Sequence, residues 1–168
     1  MPEPRKGPDL VAVSLANTFE TYLPGEIDLV NSAWNDPADV PVLTYPKRYF
    51  SERRDVVPES PSLLIGMMPA RQSANGAHGM AGWGNITYGF EAILIFRGDK
   101  LDILERLGRR YAHAMWETIM KHQDLDDTIL GQAGVDLLEW GAVTARQDQM
   151  TLEHQMAWTG QVYVVQSV

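Results

Sequence analysis

His113 and Glu117 stand four residues apart in "RRYAHAMWETIMK", a spacing that sets both on one face of a helix. An imidazole beside a carboxylate is a pairing used for general acid–base work. It also supplies two of the ligands a metal needs, but a third is required. The chain has no cysteine, its other histidines are His78, His122 and His154, and no HExxH is present. "DLDD" at 124–127 begins like a calcium loop, yet the glycine and closing glutamate of that loop are missing. No G-x-S-x-G elbow appears. Glu91, Glu105, Glu117, Glu139 and Glu153 are spread along the chain. A carboxylate pair would arise only through folding, and the plain role of such residues is a solvated surface. No catalytic, cofactor-binding or metal-binding residue is therefore assigned. The alternative kept open is a small enzyme using His113 and Glu117.

The lid of such an enzyme would be "ARQSANGAHGMAGWGN", residues 70–85. Its glycines read G-x-x-G-x-x-G-x-G from Gly76 to Gly84. No Gly-Lys-Ser/Thr follows, so it is not a Walker loop. A strand follows rather than a helix, so it is not a dinucleotide fingerprint. Compact domains rarely keep loops of this length without a purpose. The reading favoured is an arm that orders on assembly, with Arg71, Asn75, His78 and Trp83 as candidate contacts. A large aromatic in such a loop either anchors a partner or folds back on its own domain.

The elements that must position these residues follow from periodicity. Asp9 is placed to cap a helix through "DLVAVSLANTFETYL", with Leu10, Val13, Leu15, Ala16, Phe19 and Leu23 on one face. Pro24-Gly25 is expected to stop it, and "EIDLVNSAW" to form a second short helix. Residues 37–61 are rich in proline and charge, with room for a short edge strand around Val42 to Tyr45. "SLLIGMMP" (62–69) and "ITYGFEAILIFRG" (86–98) read as antiparallel strands. Asp99 then caps the clearest helix, "KLDILERLGRRYAHAMWETIMKHQ", whose apolar residues recur at three and four. Its other face carries Arg109, Arg110, His113 and Glu117. "VDLLEWGAVTARQ" (135–147) and "MAWTGQVYVVQSV" (156–168) read as closing strands. Trp116, Trp140 and Trp158 are expected to pack in the core or on the sheet. The fold class is α+β: an antiparallel (mixed) sheet of about four to five strands with helices on one face. Residues 1–8 read as a flexible tail and 9–168 as a single domain.

Composition narrows the function classes. The 168 residues are 45% hydrophobic, so the chain can bury a sizeable core. No apolar run approaches the twenty residues of a membrane span, and "MPEPRKGPDL" lacks the apolar region of a secretory signal. A net charge of −8 argues against a surface built to grip nucleic-acid phosphates. It suits a wall past which DNA must move without adhering.

From "FEAILIFRGDKLDILERLGRRYAHAMWETI" through "TILGQAGVDLLEW" to "MTLEHQMAWTGQVYVV", the chain resembles the tail terminator (tail completion) proteins of long-tailed bacteriophages. The resemblance spans residues 62–168. It lies in the order of elements: a strand, a helix with an "RRYAHAMW"-like segment, an L-x-G turn and two closing strands. The proline-rich segment 37–61 is longer than that pattern calls for. The resemblance implies a non-catalytic virion protein, assembled in the host cytoplasm, that forms a hexameric ring at the head–tail junction. Such a ring terminates the tail tube, meets the head–tail connector proteins and passes DNA through its channel without specific binding. A head-completion or adaptor protein at the same junction is the alternative. Arg109 and Arg110 are then candidate contacts to a neighbouring subunit or partner.

Overall fold

The structure is a computed structural model that describes residues 7–34, 42–54, 57, 59–68, 71–73, 83–125, 134–140, 144–148 and 151–167. Among the described residues, two helices, α1 (Pro8–Ala33) and α2 (Leu101–Lys121), accompany seven strands. These are β1 (Arg48–Phe50), β2 (Ser62–Met67), β3 (Arg71–Ser73), β4 (Trp83–Gly98), β5 (Gly134–Trp140), β6 (Thr144–Asp148) and β7 (Thr151–Ser167). All seven lie in one sheet, ordered β1-β2-β4-β7-β5, with β3 also on β4 and β6 also on β7. Only β1 and β2 run parallel, so the sheet is mixed and the class is α+β. The described residues divide into seven strands along a path that is five strands wide. Two long strands, β4 and β7, pair from Trp83↔Ser167 to Gly98↔Leu152, and each takes two short partners end to end along its outer edge.

Alternation of side chains across the pleat divides the centre of the sheet into two faces. Tyr88, Phe90, Ala92, Leu94 and Phe96 of β4, with Leu63 and Ile65 of β2, share one buried cluster with both helices. Leu64 and Ile95 lie on the opposite face with Val57, flanked by Phe50 and Ile93. The register agrees: Leu63 faces Leu94, Leu64 faces Ile93 and Ile65 faces Ala92. β2 is buried on both faces, which is why "SLLI" reads as an unbroken apolar run. The segment before β2 is pinned to the end of β4. Arg97 N–H donates to Ser60 Oγ at 3.0 Å and the Arg97 guanidinium to the Val57 carbonyl at 2.8 Å.

Helix α1 runs through Pro24 rather than stopping there. Proline inside a helix removes one hydrogen bond and crowds the carbonyl four residues back, at a cost of about 3 kcal/mol. Val11, Leu15, Phe19, Leu23, Ile27 and Val30 nevertheless form one continuous buried stripe. Burial of Ile27 and Val30 beyond the proline returns about 1.5–3 kcal/mol each, enough to carry the helix on. Leu10 and Val13, expected on that stripe, are exposed. The helix begins at Pro8, so the expected tail is one residue too long. Its N-cap is Gly7, and Asp9 sits inside the first turn, where its charge favours the positive end of the helix dipole. At α2 the N-cap is Lys100, not Asp99, and it makes no side-chain cap bond.

Two further expectations change. Val42 to Tyr45 form no strand; the parallel edge strand falls at β1. Two side chains replace a ladder there. Asn31 Nδ2 donates to the Leu43 carbonyl at 3.0 Å, and Leu43 N–H donates to Asn31 Oδ1 at 2.8 Å. Thr44 N–H donates to the Tyr111 hydroxyl at 3.1 Å, which donates in turn to the Thr44 carbonyl at 2.8 Å. Within 135–147, β5 and β6 both pair antiparallel with β7, and residues 141–143 between them lie outside the described residues. Trp116 lies on the outer side of α2 and is 43% exposed. Leu125 follows α2 with a positive φ of 51° and is fully buried, so the contacts of its side chain offset about 1–2 kcal/mol of left-handed strain.

Candidate functional site

The helices lie antiparallel, and their outer faces enclose an open groove of about 320 Å³. Glu26, Leu29, Val30, Ala33 and Trp34 line it from α1 and the residue following it; His113, Glu117 and Lys121 line it from α2. Period-3.6 geometry places His113, Glu117 and Lys121 on successive turns of one stripe. The groove therefore does unite His113 and Glu117, the pair singled out for acid–base chemistry.

Their partners are not those of an acid–base dyad. His113 packs against the Trp34 indole, ring centroids 5.5 Å apart and planes tilted by 31°. Glu117 pairs with Lys121 at 3.5 Å, and Lys121 donates to both oxygens of Glu26 at 2.8 and 2.9 Å. The Glu26 hydrogen bond, followed by the nearby carboxylate charges, raises the Lys121 pKa above the ordinary lysine value and keeps it cationic. Glu117 is thus engaged by an ammonium rather than orienting the imidazole, and a base without an orienting group lacks half of the usual arrangement. His122, at the end of α2, stacks on Tyr22 with centroids 3.6 Å apart. Among the described residues, no three His, Cys, Asp or Glu side chains converge in a way that could hold a metal. Nor is any helix there long and apolar enough to cross a membrane.

The candidate contact residues fall in two separate places. Arg71 lies in β3 opposite Thr87, and Trp83 opens β4 opposite Ser167. Both belong to strands, so the segment 70–85 is shorter as a loop than its sequence implies. Asn75 and His78 lie outside the described residues, as does the centre of the glycine pattern. Arg109 is exposed on α2, and the Arg110 guanidinium sits 5.7 Å from the centroid of the Trp34 ring. Phe96 touches Tyr111, the neighbour of Arg110, at 5.3 Å between ring centroids. From Phe96 back to Trp83 is on the order of 40 Å of extended strand at ~3.3 Å per residue. The structure therefore does not bring Arg71 and Trp83 together with Arg109 and Arg110.

Sequence reasoning missed Trp34, Leu29 and the Glu26–Lys121 pair, all set by the helix that continues through Pro24. Tyr111 is one of the apolar-spaced residues of the α2 segment, a spacing that points to the core and to nothing more. Tyr111 is a core ring with a hydroxyl clamp on Thr44, and burial pushes its pKa up while the Thr44 bonds partly offset this. The chain matches no protein-family model, and it matches no curated protein in sequence.

Proposed function

We propose that this chain is a structural subunit of a ring at the head–tail junction of a long-tailed bacteriophage, the terminator that closes the tail tube and joins it to the head connector. The observation that carries the reading is the β4–β7 pair. The two strands pair without a break from Gly98↔Leu152 to Trp83↔Ser167. At ~3.3 Å per residue β4 spans about 50 Å, against about 30 Å for α2 at 1.5 Å per residue. A strand pair of this length, edged at that end by β3 on β4 and β5 on β7, is a means of reaching a neighbouring subunit or the tube. The candidate contacts Arg71 and Trp83 lie on it.

Two other features support the reading. A long strand, then α2, then closing antiparallel strands is the order the resemblance to tail terminators implies, with three such strands described where it implies two. The net charge of −8 suits a channel that DNA crosses without being held. In this reading the chain is a homohexamer in the virion, it contacts the tail tube protein below and the connector above, and it catalyses nothing.

The test adds the purified protein to tail-tube protein of the same phage during polymerisation. A terminator halts tube growth and caps one end of each tube in electron micrographs. A protein that leaves tube length unchanged but binds the portal ring is the adaptor instead. A protein that does neither is not a junction component.

A further inference from the structure

We draw no further inference here: the strongest candidate, the open groove between the outer faces of α1 and α2 with Leu29 and Trp34 exposed along it, carries none, because nothing in the structure shows what covers it.

Discussion

Two tyrosines show how much a single hydroxyl depends on its surroundings. The Tyr111 hydroxyl both donates to and accepts from Thr44, whereas the buried Tyr49 hydroxyl has no hydrogen-bond partner among the described residues. Removing a paired hydroxyl leaves the Thr44 groups unsatisfied; removing an unpaired one relieves a desolvated oxygen. Tyr111→Phe is therefore expected to destabilise by about 1–3 kcal/mol, and Tyr49→Phe to be neutral or stabilising by up to about 1 kcal/mol, both read from urea midpoints. The same residues set an alkaline limit. Burial raises both pKa values, with the Glu20 charge adding to the effect at Tyr49. A raised folded pKa contributes stability that is full below the unfolded value of about 10 and is lost as pH rises through the folded value. Urea midpoints measured from pH 9 to 11 should fall in the parent protein, and less steeply in the double phenylalanine variant. None of this was legible in the sequence. Tyr111 fitted a helical apolar period and Tyr49 an irregular segment, and the period says nothing about where a hydroxyl points.

At the scale of elements, strongly periodic stretches were legible and their ends were not. The "KLDILERLGRRYAHAMWETIMKHQ" helix and the pairing of residues 62–67 with 90–95 follow directly from apolar spacing. Pro24 misled because its local cost is visible in the sequence, while the repayment comes from tertiary contacts of Ile27 and Val30. If that balance is correct, Pro24→Ala restores the missing helix bond at the price of a less restricted unfolded chain. The net expectation is a gain of about 1–2 kcal/mol, seen as a higher melting temperature with unchanged mean residue ellipticity at native temperatures. Asn31 belongs to the same scale, since it holds residues 42–44 against α1 where a strand ladder is absent. Asn31→Ala should cost about 1–3 kcal/mol through the unpaired Leu43 groups, again by urea unfolding. The site was half legible for related reasons. His113 and Glu117 do share a groove, but the partners that occupy them, Trp34 and Lys121, come from a segment read as a separate short helix and from the next helical turn.

For the molecule as a whole, the α+β class and the single helical face could be read in advance because each helix buries one stripe only. The seven-stranded layout could not, since short strands such as β1 and β3 carry too few residues to show a period. The ring reading rests on a long strand pair, an acidic chain and a resemblance in element order. Its most direct measurement is the mass of the purified protein by light scattering across a wide concentration range, alone and with tail tubes, followed by negative-stain imaging. The account predicts a six-fold ring, free or at the tube end, with a hole wide enough for duplex DNA. A protein that stays monomeric throughout and leaves tubes uncapped would contradict it.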